Sequence, residues 1–178
     1  MASVILNFSG YSRNKIEDKA CEVDINECIE VAVEIALMAS MTDDIQLSKN
    51  FSPLKPINAK SEEIQQIFVN IIKNSVQAMQ GKGCLTISTL LKEDDVEIII
   101  KDTGPGIPKE FLPKIFDPFF TTKPQGEGTG LGLNIVHKII QKYGGKVEVD
   151  SVLGVGAEFK ISFSLENTEK KKKSKVLT

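Results

Sequence analysis

The sequence lacks any apolar run long enough to cross a bilayer. Its longest such stretches, 31–40 and 96–100, are interrupted by Glu34 and Glu97, whereas a membrane helix needs about 20 consecutive apolar residues. It also lacks the basic start and long apolar core of a secretory signal. Cysteine is scarce: Cys21, Cys28 and Cys84 are an odd number with no CxxC spacing, which argues against a zinc site and for a reduced, cytoplasmic compartment. There is no excess of positive charge. The 22 Lys and Arg against 24 Asp and Glu leave a net charge of −2, so no global field draws in nucleic acid or an anionic membrane. Any phosphate-bearing ligand must therefore be held by local geometry. What is present is an ordinary globular balance, 41% hydrophobic and 26% charged over 178 residues, enough for one domain with a sizeable core.

Apolar spacing sets out the elements. Residues 21–24 read as a short strand, and Asp24 can cap a helix over Ile25–Ser40, where Ile25, Cys28, Ile29, Ala32, Val33 and Ala36 recur at helical spacing. A strand over 45–47 and a loop marked by Pro53 and Pro56 precede a second helix over 61–80. Ile64, Ile67, Phe68, Ile71, Ile72, Ser75 and Met79 form its buried stripe, and Gly81 and Gly83 stop it. Strands over 85–91 and 96–101 flank the charged turn 92–95. From Asp102 to Thr129 the chain is irregular, and a loop that long inside a compact domain is usually functional. A third helix over 131–143 and strands over 146–151 and 157–165 complete the set, the last two joined by a Gly154/Gly156 turn. Helices and strands come in separate runs, not in βαβ alternation. This predicts an α+β, two-layer sandwich: one mixed sheet covered on one face by helices. A weakly patterned segment over 1–20 precedes the domain, which spans 21–165. A disordered basic tail over 166–178 follows it.

Four clusters carry chemistry. Asp102 ends an apolar strand and opens Asp102-Thr103-Gly104-Pro105-Gly106. A carboxylate at a buried edge needs a donor; the exocyclic amine of adenine is one, and the carbonyl of guanine at that place is not. Gly104 and Gly106 allow positive φ and close backbone approach. By itself the segment also reads as a surface turn. Gly128, Thr129, Gly130, Leu131 and Gly132 open the third helix, where freed backbone N–H groups make an anion site, although one glycine-rich turn is weak evidence. Asn70 and Asn74 share a side of the second helix, where an amide carbonyl can anchor magnesium that otherwise keeps waters and phosphates; a packing amide would look the same. Phe116, Phe119 and Phe120 suggest a lid, over about 108–128, that docks by its aromatics, with Thr121, Thr122 and Lys123 as donors to phosphate oxygens.

In their order and spacing these segments resemble the N, G1, F and G2 boxes of the histidine-kinase catalytic domain, in the superfamily of gyrase, Hsp90, histidine kinase and MutL ATPases. The likeness covers about residues 20–165, and the segment from Phe116 to Lys123 is most similar to nitrogen-regulator-type kinases. The resemblance implies a Bergerat-type ATP-binding fold in a two-component sensor kinase. It implies Asn74 as the Mg2+ ligand and Asp102 as the adenine reader beside Gly104 and Gly106. Gly128, Gly130 and Gly132 are implied as the phosphate cradle, and Lys123 as a contact to the γ-phosphate of ATP. Two positions depart from the family pattern: Ala157 stands where a threonine often helps bind adenine, and Gln77 where Lys or Arg often follows the magnesium Asn.

The same resemblance bears on mechanism. Hydrolysing members carry Glu four residues before the magnesium Asn; here Asn70 stands there, and an amide cannot be a general base at neutral pH. Phosphoryl transfer to an amino-acid acceptor with poor hydrolysis is therefore expected, with Asn70 and Lys123 the candidates nearest the chemistry. His137, the only histidine, lacks the acidic neighbour and coiled-coil setting of an acceptor. Residues 4–9 resemble the linker after dimerisation helices. The chain thus reads as a catalytic domain whose acceptor domain lies elsewhere, partnered by that domain and a response-regulator receiver, with no nucleic-acid or direct membrane contact, and monomeric by itself. A non-catalytic nucleotide-binding module, or a serine kinase of the same fold, is the alternative.

Overall fold

The computed structural model describes residues 20–165 apart from 41–43, 94 and 125–127. The expected linker up to residue 19, the basic tail, and Gly126 and Glu127 of the glycine-rich turn lie outside the described residues.

The elements run β1 (Cys21–Val23), α1 (Ile25–Ser40), β2 (Ile45–Phe51), β3 (Ile57–Ala59), α2 (Ser61–Ala78), β4 (Gly83–Lys92), β5 (Asp95–Asp102), α3 (Gly132–Lys142), β6 (Lys146–Val152) and β7 (Gly156–Ser164), with one 3-10 turn at Leu112–Lys114. Five strands form a sheet of order β2-β4-β5-β7-β6. β2 runs parallel to β4 and the other pairs are antiparallel, so the sheet is mixed, as predicted. Sequence reasoning missed β3. It pairs antiparallel with β1 in a separate two-stranded ribbon, Val23 opposite Ile57 and Cys21 opposite Ala59. Three residues directly after Pro56 are too few for a period to register.

Local chemistry explains most boundaries. Asp24 Oδ1 accepts from the N–H groups of Asn26 (2.7 Å) and Glu27 (3.3 Å), which caps α1. α2 stops where Gln80 and Gly81 both take positive φ, two residues short of the predicted end. The turn between β4 and β5 is tighter than expected: Lys92 pairs with Asp95, and Glu93 sits at φ 50°.

One face of the sheet is the core. Leu85 and Ile87 on β4, Ile98 and Ile100 on β5, and Phe159, Ile161 and Phe163 on β7 are buried. They share the core with Ile64, Ile67, Phe68, Ile71 and Ile72 of α2, while α2 also packs against α1 and α3. Each such side chain contributes roughly 1.5–3 kcal/mol on burial. The opposite face is polar. There Glu97 lies between Lys92 (2.8 Å) and Lys160 (2.9 Å); burial alone would raise its pKa, but the two ammonium groups hold it below the usual carboxylate value. α2 is thus the central helix, and its C-terminal half borders the end of β5 where the sheet opens into the irregular segment.

Candidate functional site

Asp102 is the last residue of β5 and only 4% exposed. Three protein donors hold its carboxylate: Ser75 Oγ from α2 at 2.9 Å on Oδ2, and the N–H groups of Gly104 (2.9 Å) and Ala157 (3.3 Å) on Oδ1. A carboxylate offers about four acceptor sites, so one remains open toward the cavity that Asp102 lines. The donors that this buried carboxylate needs are thus supplied in large part by the protein itself. Ser75, read in the sequence only as part of an apolar stripe, is one of them. A hydroxyl among isoleucines beside Asn74 was the available signal.

The cavity is ≈ 510 Å³, within the usual range of about 300–1,000 Å³ for small-molecule sites. α2 forms one wall through Asn70, Asn74, Gln77 and Ala78; the segment after β5 forms another through Gly106 and Ile107; Phe159 of β7 contributes apolar surface. Of the predicted site residues, Asn70, Asn74, Asp102, Gly106, Thr121, Thr122, Lys123, Gly128, Thr129, Gly130 and Gly132 line this single space. Gly104 and Leu131 do not line it. Gly104 lies outside the positive-φ region, contrary to expectation. Its need is space, since a Cβ there would sit 3.0 Å from Asp102 Oδ1.

The glycine-rich turn is held differently at each position. Gly130 has φ 65°, and a Cβ on it would come within 2.4 Å of the Phe119 backbone. The two segments are joined there by a Phe119 N–H to Gly130 O bond of 2.9 Å. A Cβ on Gly132 would meet nothing closer than 3.8 Å, so close packing does not demand glycine there. The first residue of α3 is Gly132, and no side-chain cap covers the helix start. The N–H groups of that first turn have no intrahelical acceptors and suit an anion. Asn70 Nδ2 donates to Gly132 O at 3.2 Å and ties this turn to α2.

Of the three phenylalanines at 116–120, Phe116 and Phe120 are packed and Phe119 is not. Phe120 packs edge-on against Phe111, with ring centroids 5.6 Å apart. Phe116 stacks on His137 at 5.3 Å, and its carbonyl accepts from Asn134 Nδ2 at 2.8 Å. Phe119 instead is 74% exposed and sits at φ 67°; the Gly130 contact fixes its backbone and turns the ring outward. His137 is half-buried in this stack, with Gln141 3.2 Å from its Nε2.

Lys123 reaches across the cavity mouth to α2. Its Nζ donates to Gln77 Oε1 at 2.5 Å and lies 3.5 Å from Asn74 Oδ1. Its backbone N–H donates to Thr121 Oγ1 at 3.1 Å. Gln77, noted in the sequence as lacking a family charge, thus holds a charge from elsewhere. Among the described residues no group of three His, Cys, Asp or Glu side chains could hold a metal ion. The Asn74 amide in the cavity wall offers an oxygen of the kind a hard cation accepts. Among the described residues, too, no helix is long and apolar enough to cross a membrane.

A family model described as "Histidine kinase-, DNA gyrase B-, and HSP90-like ATPase" matches residues 59–167. The chain is 34% identical over 145 residues to Sporulation kinase C of Bacillus subtilis (strain 168), covering 80% of this chain and 33% of that protein. In structure it is similar to the mycobacterial sensor histidine kinase MprB, with a TM-score of 0.73 and 25% identity over 82% of this chain and 97% of that one. It is also similar to full-length ShkA in complex with AMPPNP, with a TM-score of 0.72 and 30% identity over 84% of this chain and 32% of that one. The chain spans about a third or less of the length of the curated relatives it matches.

Proposed function

Because the chain belongs to the family of histidine kinase-, DNA gyrase B- and HSP90-like ATPases, we propose that it binds ATP with Mg2+ in this cavity and serves γ-phosphoryl transfer to a histidine on a separate dimerisation domain. The phosphoryl group then passes to a response-regulator receiver, and the domain works in the cytoplasm as one module, over 21–165, of a larger two-component sensor kinase. The observation that carries the proposal is Asp102. It is a buried carboxylate, fixed by Ser75, Gly104 and Ala157, with one acceptor site facing a cavity of nucleotide size. An amine such as that of adenine completes its shell, whereas a guanine carbonyl would oppose it. Ala157 lacks a hydroxyl for the base, but its N–H orients Asp102 instead.

Gly106 and Ile107 flank the base end, and the uncapped start of α3 with Gly128, Thr129 and Gly130 faces the phosphates. Thr121, Thr122 and Lys123 add donors from the lid side. Asn74 Oδ1 would hold the metal, and Mg2+ would supply positive charge that screens the phosphates. Asn70 holds the α3 turn through Gly132 O and, as an amide, cannot activate water. In this reading the residues position the nucleotide and exclude solvent, and the nucleophile comes from another domain. ShkA, crystallised with AMPPNP, is a structural neighbour consistent with a nucleotide at this place.

The test is a titration of ATP, ADP and GTP with and without Mg2+, followed by transfer of label from ATP to a supplied dimerisation domain. ATP binding stronger than GTP binding, weakened by Asn74→Asp and followed by histidine phosphorylation, is expected. Equal binding of ATP and GTP would remove the role of Asp102. Binding without transfer would leave a nucleotide-binding module and reject the kinase.

A further inference from the structure

The cation missing from position 77 of α2 is supplied in space by the lid. Asn74 and Gln77 are three apart on the helix, so their amides share a face. That face looks onto the cavity mouth, and the Lys123 ammonium lies against both oxygens, 2.5 Å from Gln77 Oε1 and 3.5 Å from Asn74 Oδ1. The Asn74 oxygen is the same one that the reading above gives to Mg2+.

We propose that Gln77 is a positioning residue that parks the Lys123 ammonium beside Asn74, so that Lys123 and Mg2+ exclude one another at the Asn74 oxygen. The inference rests on the nucleotide reading of the cavity. An ammonium has three donors and no acceptor, and two positive charges cannot share one amide oxygen without strong repulsion. Lys123 must therefore leave Asn74 when the metal arrives. Its segment then carries the charge toward the phosphate side of the cavity, where Thr121, Thr122 and Gly128 already line the wall. The residue type at 77 suits such a device. A neutral amide oxygen holds an ammonium reversibly; a carboxylate there would retain it, and a cation would expel it.

Hydrogen exchange of the backbone amides at 119–123 in nucleotide-free protein, together with ATP titration across a range of Mg2+, tests this. Gln77 is exposed, so its variants keep the fold, which thermal melting checks. Gln77→Glu is expected to slow exchange at 119–123 and weaken Mg2+-dependent ATP binding about tenfold, on the scale of strengthening a neutral bond to a charged one. Gln77→Ala is expected to speed exchange and leave affinity within about threefold. In a Lys123→Met background the exchange difference between the two Gln77 variants should vanish. So should most of the affinity loss with Gln77→Glu. If that loss survives in full, direct repulsion of phosphate by the new carboxylate explains it and the parking role is wrong. If both variants shift exchange in the same direction, or neither shifts it, the proposal also falls. Failure of wild type to bind ATP would instead strike the nucleotide reading, while the exchange data would still judge the Lys123–Gln77 contact.

Discussion

At the floor of the cavity, Asp102 is 4% exposed and takes donors from three elements, α2, the segment after β5, and β7. At the mouth, Lys123 meets two amide oxygens on one helix, and Gln77 is exposed. The floor is rigid because each donor there is itself set by the sheet or the core. The mouth is adjustable because its bonds join solvent-facing side chains, whose exchange for water costs little. The difference teaches a division of labour: the part proposed to read the base is held by the protein's own donors, and the part proposed to meet charge is held by exposed side chains.

The sharpest way to break that contrast is Asp102→Asn. It replaces one acceptor oxygen with an NH2 donor among fixed donors and should weaken ATP binding about a hundredfold, as leaving buried donors unsatisfied predicts. Calorimetric titration measures this, and a loss smaller than about threefold would mean that the floor does not read the base. Next is Gly130→Ala, at the seam where the lid backbone meets the α3 turn. The left-handed φ and the Phe119 backbone at 2.4 Å should together cost about 2 kcal/mol or more in urea unfolding. Third, Ser75→Ala should lower stability by about 1–2 kcal/mol through the uncompensated Asp102 oxygen, whereas Gln77→Ala at the mouth should change it by less than about 0.5 kcal/mol. Similar values for the two would erase the distinction.

A fourth test uses a fixed contact away from the cavity. Tyr143 follows α3, its hydroxyl donates to Glu63 (2.7 Å) and accepts from the Lys60 N–H at the start of α2 (3.0 Å). Burial, then the bond to the Glu63 carboxylate, pushes its pKa from the ordinary 10.0 up to about 12. The folded state therefore holds this proton more tightly than the unfolded one. Its contribution is complete below pH 10 and is lost as pH rises through about 12. Tyr143→Phe should remove that slope, measured by unfolding at a series of alkaline pH values. A small effect on activity is expected for His137→Ala. It removes the Phe116 stack, worth less than about 1.5 kcal/mol, and should leave transfer to a supplied acceptor domain nearly intact.

Elements with a strong period were legible from the chain. The stripe of α2 with Ile64, Ile67, Phe68, Ile71 and Ile72 is buried as read, and Asp24 caps α1. The pairing of β4 with β5 followed from two apolar runs and a short charged turn. The ribbon of β1 with β3 was not legible, because its three residues carry no period and gain their place from Val23 opposite Ile57. In the candidate site, the motif residues were visible as residue types, but their partners were not. The outward ring of Phe119 escaped notice because a run of phenylalanines suggests burial, and only the Gly130 contact turns one of them away.

Sequence alone settled which groups exist: a carboxylate at a strand end, amides one turn apart on a helix, and glycines before another helix. Hydrophobic spacing and backbone preference are local, so they can be read without knowing where distant segments lie. Tertiary structure decided what those groups do to one another. Ser75 meets Asp102 across 27 positions, and Lys123 meets Gln77 across 46, because sheet order and helix packing bring them together. Hydrogen bonds depend on distances of a few tenths of an ångström, and no local pattern carries that information.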